Sequence, residues 1–279
     1  MFKFITCLFI SIMILGCSGE ESMTNAKQKK IELLTINDIP DNTWHELAKK
    51  KIYFGHQSVG NNIIDGITKV MASNSHIKLN IKDTNKLESF AEPIFAHSDV
   101  GKNEFPDSKV LDFRKNLENG IGENVDIAFV KYCFWDIRRN TDINAVFDNY
   151  KNTLSDLKKQ FPNIQFIHLT VPLMSHSTGI KSRIKRTLGM QINSDLDNIK
   201  RNQLNDLILL EYNGKEPIFD IALLESTLPD GTRQTFSSND NNYNYLLSEY
   251  TYDGGHLSEE ARIRIAEQLL ITLANVIDQ

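Results

Sequence analysis

Residues 51–71, KIYFGHQSVGNNIIDGITKVM, change periodicity in the middle. Positions 51–54 form a short run suited to a strand. From Gly60 to Met71 apolar residues return at three- and four-residue intervals, as on an amphipathic helix. Gly55-His56-Gln57-Ser58-Val59 must therefore turn the chain from strand to helix. A serine at such a turn stands at the carboxyl edge of a sheet, where open α/β folds bind ligands. The helix that follows aims backbone N–H groups at a developing anion. Taken alone, Ser58 has a plainer role as a helix cap.

The same alternation continues along the chain. Short apolar runs at 77–81, 125–132, 164–171 and 217–221 read as strands, and 145–161, 195–210 and 259–277 read as amphipathic helices. Ser258, followed by Glu259 and Glu260, is a good N-cap with acidic residues in the first turn. Strands alternating with helices predict an α/β fold, a three-layer α/β/α sandwich with a mostly parallel central sheet of about five strands. Residues 227–244, rich in Asn, Asp, Ser, Gly and Thr, read as one long loop. Lys181, Arg183, Lys185 and Arg186 fall in an insertion after the fourth strand and read as a solvated helix face, with a lid or an anionic-substrate contact as the alternative.

The 279 residues, 41% hydrophobic and 24% charged, suit one large domain over 31–279. Thirty-one basic against 36 acidic residues supply no general drive toward nucleic acid. Lys3, an apolar run from Phe4 to Leu15, then Gly16 and Cys17 form an export signal over 1–16, too short for a membrane span of about 20 residues. Ile14-Leu15-Gly16-Cys17 resembles the bacterial lipoprotein box, which implies lipidation of Cys17, a polar tether over 17–30 and a location in the cell envelope, held to a membrane by the N-terminal lipid. Cys7 would be discarded and Cys17 acylated. Cys133, in an apolar run, would then be a buried free thiol, with no disulfide in the mature chain.

The second chemical segment is Tyr252-Asp253-Gly254-Gly255-His256-Leu257, immediately before the last helix. Two residues between carboxylate and imidazole let both project from one loop, and the imidazole can then act as general base for a serine. Ser58 after the first strand and Asp253/His256 before the last helix resemble the SGNH hydrolases, relatives of the GDSL lipases and esterases, over most of the chain from Lys50 onward. That resemblance implies a flavodoxin-like fold, Ser58 as nucleophile, His256 as general base and acid, and Asp253 as the group that orients the imidazole. It also implies an oxyanion hole from the Ser58 N–H and a glycine N–H, for which Gly101 is the candidate. The family's GxND motif aligns here with Cys133-Phe134-Trp135-Asp136 and lacks the asparagine, so Asn103 is the candidate substitute donor.

His56, Trp135 and Asp136 are the expected substrate-side residues, with an aromatic that can stack on a sugar. His97 and Asp99 lack a third ligand at suitable spacing, and neither a metal nor a cofactor is expected. The expected activity is hydrolysis of an ester on a small molecule or glycan, with acetylated carbohydrate favoured because no long apolar lid helix is visible. Two alternatives differ in class: a surface-anchored glycan-binding protein that keeps the fold without turnover, and an O-acyltransferase using the same triad.

Overall fold

The computed structural model describes residues 30–277. The expected signal, Cys17 and nearly all of the tether lie outside them. In chain order the elements are α1 (Asp41–Leu47), β1 (Lys51–His56), α2 (Val59–Ser73), β2 (Ile81–Asp83), β3 (Ile94–Asp99), α3 (Pro106–Glu118), β4 (Ile127–Val130), α4 (Ile143–Gln160), β5 (Gln165–Phe166), β6 (His168–Leu169), α5 (Ile180–Thr187), α6 (Asn193–Tyr212), β7 (Ile218–Phe219), α7 (Ile221–Glu225), β8 (Thr235–Ser238), β9 (Asn241–Asn244) and α8 (Glu259–Ile277). None of the described helices is long and apolar enough to cross a membrane.

The central sheet has the order β2-β3-β1-β4-β5, and every pairing in it is parallel. The break between β5 and β6 is one residue, Ile167, whose N–H still donates to the Ala128 carbonyl at 3.2 Å. The sheet is thereby continued through β6 to its parallel partner β7.

Helices cover both faces, which is why the strands read as unbroken apolar runs rather than as alternating ones. Ile52 and Phe54 of β1 join one core cluster with Val59, Ile63 and Ile67 of α2 and the apolar stripe of α8. Tyr53, between them, points the other way into a second cluster with Val110 and Phe113 of α3, Leu154 of α4 and Leu204 and Ile208 of α6. The fold is thus the expected three-layer α/β/α sandwich around a parallel sheet.

Local elements differ from the sequence expectation in several places. The strand expected at 77–81 forms at Ile81–Asp83, because Ile77 is buried in the turn that precedes it. β3 was not expected at all: its apolar run is only Ile94-Phe95-Ala96 and then continues through His97, Ser98 and Asp99. The expected loop at 227–244 contains the hairpin β8–β9. Asn239 and Asp240 take φ of 49° and 62° at its tip, the left-handed pair that two-residue hairpin turns require.

Candidate active site

β1 runs straight into the turn bearing Ser58. Ser58 has φ 52° and ψ −102°, a conformation that non-glycine residues rarely adopt and that persists only where the surroundings enforce it. The turn is held from both sides. The N–H of Asn61 donates to the Ser58 carbonyl at 2.9 Å, and Val100 N–H to the His56 carbonyl at 3.0 Å. Gly60 leaves space for the His56 ring, since a Cβ there would lie 2.3 Å from His56 Cγ. Ser58 is thereby lifted out of the strand onto the start of α2.

The loop before α8 meets it there. Leu257 N–H donates to Asn62 Oδ1 at 3.0 Å, joining that loop to the first turn of α2. His256 Nε2 lies 2.5 Å from Ser58 Oγ, and His256 Nδ1 lies 2.6 Å from Asp253 Oδ2. Asp253 Oδ1 meanwhile accepts from the N–H groups of Gly255 and His256 at 2.9 and 2.8 Å. Partial burial raises the Asp253 pKa, but the hydrogen bonds from the His256 ring and from these two N–H groups outweigh it and hold the carboxyl at about 2. A carboxylate can only accept, so it keeps the ring proton on Nδ1 and leaves the Nε2 lone pair facing Ser58 Oγ.

The imidazole is boxed by carbon. The Phe134 ring packs edge-on against it at 5.5 Å and Tyr252 stacks at 6.1 Å. Phe134 also explains Gly255, where a Cβ would approach Phe134 Cζ to 2.7 Å. Behind Phe134 stands Arg201, fully buried, whose Nε donates to the Phe134 carbonyl at 2.9 Å and Nη1 to Asn198 Oδ1 at 2.8 Å. Asn198 in turn brackets both backbone groups of Met174, and the Ser175 N–H donates to the Gly254 carbonyl at 2.8 Å. Glu225, also fully buried, takes the Leu173 N–H at 2.6 Å, and burial pushes its pKa up to about 8.

On the other side of Ser58 lies the 101–105 loop. The Gly101 N–H donates to Asp112 Oδ2 at 3.0 Å, which takes up the group that the sequence offered to an oxyanion. Lys109 of α3 is buried, and its Nζ donates to Gln57 Oε1 at 2.6 Å and to Asn103 Oδ1 at 3.0 Å. An ammonium has no acceptor, so both carboxamides must turn their oxygens toward it and their NH₂ groups away. The Gln57 NH₂ is spent on the Gly101 carbonyl at 2.6 Å, whereas Asn103 is exposed. Burial lowers the Lys109 pKa while the charge of Asp136 opposes the shift.

Asp136 is buried at the base of this loop, with Oδ1 on the Glu104 N–H at 2.9 Å and Oδ2 on the Cys133 N–H at 2.7 Å. It ties the loop after β4 to the Asn103 loop through both oxygens, and it lines the cleft beside Trp135. His56 departs from expectation. It is 1% exposed, its Nε2 is engaged with His97 Nδ1 at 3.0 Å, and burial drives its pKa down to about 2. It is a neutral spacer under the turn, out of reach of a substrate.

Trp135 alone of the three expected substrate-side residues is open, 38% exposed, with the Arg138 guanidinium 5.0 Å from its ring centre. It lines a cleft of about 360 Å³ with Glu104, Asp136, Arg138, Arg139 and Thr141. A roomier cleft of about 620 Å³ runs between the 101–105 loop and Leu111 and Lys115 of α3, but it touches none of Ser58, Asp253 and His256. Chemistry rather than volume marks the site.

Sequence reading missed Lys109, Asp112 and Arg201. α3 escaped because its buried positions include the polar Lys109 and Asn116 among Val110, Phe113 and Leu117. A lysine recurring on the apolar stripe of a helix was the available signal. Arg201 sits likewise on the buried face of α6, flanked by Asn198, Asn202 and Asn205.

No protein-family model matches the chain, and no curated protein matches it. Among solved structures, similarity is found to a protein of Streptococcus pneumonia provisionally described as a platelet activating factor, at 14% identity over 85% of this chain and 94% of that one, with a TM-score of 0.46. The periplasmic domain of a Salmonella ser. Paratyphi A lipopolysaccharide acetyltransferase is similar at 14% identity, covering 83% and 84% of the two chains, with a TM-score of 0.44. The catalytic domain of the Streptococcus pneumoniae peptidoglycan O-acetyltransferase A gives 13% identity, 83% and 96% coverage, and a TM-score of 0.39.

Proposed function

We propose that this chain is a serine esterase of SGNH type that works through an acyl-enzyme on Ser58. The observation that carries the reading is the hydrogen-bonded line Ser58 Oγ, His256 Nε2, His256 Nδ1, Asp253 Oδ2, mounted on a strained strand-to-helix turn. Ser58 Oγ attacks the ester carbonyl carbon while His256 Nε2 takes the hydroxyl proton. As the tetrahedral intermediate collapses, the C–O bond to the alcohol breaks and the alcohol leaves with that proton. Water then attacks the acyl-enzyme, giving its proton to Nε2, and Ser58 recovers it as the acid departs.

The oxyanion hole is proposed to consist of the Ser58 N–H and Asn103 Nδ2, without Gly101. Lys109 supports this reading because it turns the Asn103 NH₂ outward and places a cation two bonds behind the donor. Trp135, next in sequence to the Phe134 that packs on His256, supports a sugar ring beside the scissile ester. Acetylated carbohydrate is the proposed substrate class, and the proposed setting is the bacterial envelope, with Cys17 as lipid anchor.

The test is release of acetate from p-nitrophenyl acetate and from acetylated glycans by the protein and by Ser58→Ala. Turnover that Ser58→Ala abolishes supports the esterase. Equal rates in both proteins overturn it, and acetyl transfer to an added sugar in preference to water would favour a transferase.

A further inference from the structure

α5 is amphipathic with the faces reversed. In a helix packed on a domain the apolar stripe is buried and the polar face is wet. Here the polar side turns inward: Arg186 Nη2 bonds Asp195 Oδ2 of α6 at 2.9 Å, and Ser182 Oγ bonds Ser177 Oγ of the preceding segment at 2.6 Å. The apolar residues face water, with Ile180 77%, Ile184 54% and Leu188 68% exposed, followed by Met190 at 54%. Positions 180, 184 and 188 are spaced by four and form one ridge.

Charge flanks that ridge. Lys181, Arg183 and Lys185 are exposed beside it, and Ile180–Thr187 contains no acidic residue, in a chain whose net charge is −5. The segment that leads from β6 into α5 touches the Asp253–His256 loop through the Ser175–Gly254 hydrogen bond.

From this arrangement we infer that α5 docks on an anionic lipid surface, with Ile180, Ile184 and Leu188 entering the headgroup boundary and Lys181, Arg183 and Lys185 contacting lipid phosphates. An apolar ridge bordered by long cationic side chains is the pattern of an interfacial helix, since lysine and arginine can lay their stems along the apolar layer and keep their charges at its surface. Four apolar side chains cover far less than the roughly 1,200 Å² that a stable protein–protein interface buries, whereas a bilayer needs no preformed partner groove. Docking here would bring the Ser58–His256 edge of the sheet close to the membrane. The inference rests neither on the triad nor on the anchor expected at Cys17.

The test uses a chain beginning at residue 18, which keeps every described residue and removes the apolar 4–15 run and Cys17. Co-sedimentation with phosphatidylcholine vesicles is compared with and without phosphatidylglycerol. The expected result is binding at least about tenfold stronger to the anionic vesicles. Ile180→Asp with Ile184→Asp is expected to lower that binding by at least about tenfold. Both side chains are exposed, so the unfolding midpoint of the double variant should match the parent's.

Lys181→Ser with Lys185→Ser is expected to remove most of the preference for phosphatidylglycerol. No sedimentation of the parent with anionic vesicles, equal sedimentation of the Ile180/Ile184 variant, or no preference for the anionic lipid would each overturn the inference. Docking of a protein on this face without vesicle binding would overturn it too.

Discussion

The His56 side chain lies directly over Gly60, so close that a methyl group at position 60 would come within 2.3 to 2.5 Å of its Cβ, Cγ and Nδ1. His56 cannot yield, because Phe54 is tilted against it on one side and His97 stacks on it and is bonded to it on the other. The position of Ser58 on its turn therefore depends on the absence of a side chain two residues later. Gly60→Ala is expected to destabilise the protein by roughly 2 to 4 kcal/mol. Urea denaturation reads the stability directly, and an unchanged midpoint would mean that the turn is not held in this way.

Lys109→Met keeps the length of the side chain but frees both carboxamides that the ammonium orients. If Asn103 donates to the oxyanion, kcat for a soluble ester falls about 10²- to 10³-fold while KM changes little. Asn103→Ala should cost a similar factor, and the double variant little more than either single one, since both act through one donor. Additive losses in the double-mutant cycle would separate Lys109 from Asn103.

Asp253→Asn replaces an acceptor-only group with one that can offer an NH₂ to His256 Nδ1. The wrong imidazole tautomer then faces Ser58, and kcat is expected to drop about 10³- to 10⁴-fold with the fold intact. The pH–rate profile adds a check. Asp253 is held at about 2, so no loss of activity between pH 7 and 4 is attributable to its own protonation.

Glu225 gives a stability prediction with a definite sign. Its carboxyl is buried and held protonated up to about pH 8, against an ordinary 4.5. Between those values the unfolded chain has released a proton that the folded chain keeps, so the stabilisation is complete below about 4.5 and declines as pH rises toward 8. Glu225→Gln preserves an acceptor for the Leu173 N–H and removes the titration. The unfolding free energy of the unsubstituted protein should therefore fall by roughly a few kcal/mol more than the variant's between pH 5 and 8. Parallel curves for the two proteins would contradict the burial of a neutral Glu225.

Much of this architecture was legible in residue order. Parallel strands buried on both faces leave apolar runs, so β1, β4 and the β5–β6 strand stood out. The glycine-flanked Ser58 and the Asp253-Gly-Gly-His256 segment announced turns at the two ends of the fold. β3 and α3 did not stand out because their buried positions are partly polar: His97 and Ser98 in one, Lys109 and Asn116 in the other. Ser98 and Asn116 both bond the Tyr53 hydroxyl of β1, while His97 bonds His56 and Lys109 bonds Gln57 of the Ser58 turn, which is long-range information that no local period carries. The Gly101 N–H was misread for the same reason, since its acceptor, Asp112, sits on the unrecognised helix.

The central claim is that Ser58 is a nucleophile activated by His256, and covalent trapping tests it most directly. Incubation with a fluorophosphonate, followed by intact-mass measurement and peptide mapping, should show one adduct, on the peptide containing Ser58. The adduct should be absent in Ser58→Ala and form far more slowly in His256→Ala. No adduct on the folded protein, or an adduct that persists in Ser58→Ala, would contradict the account.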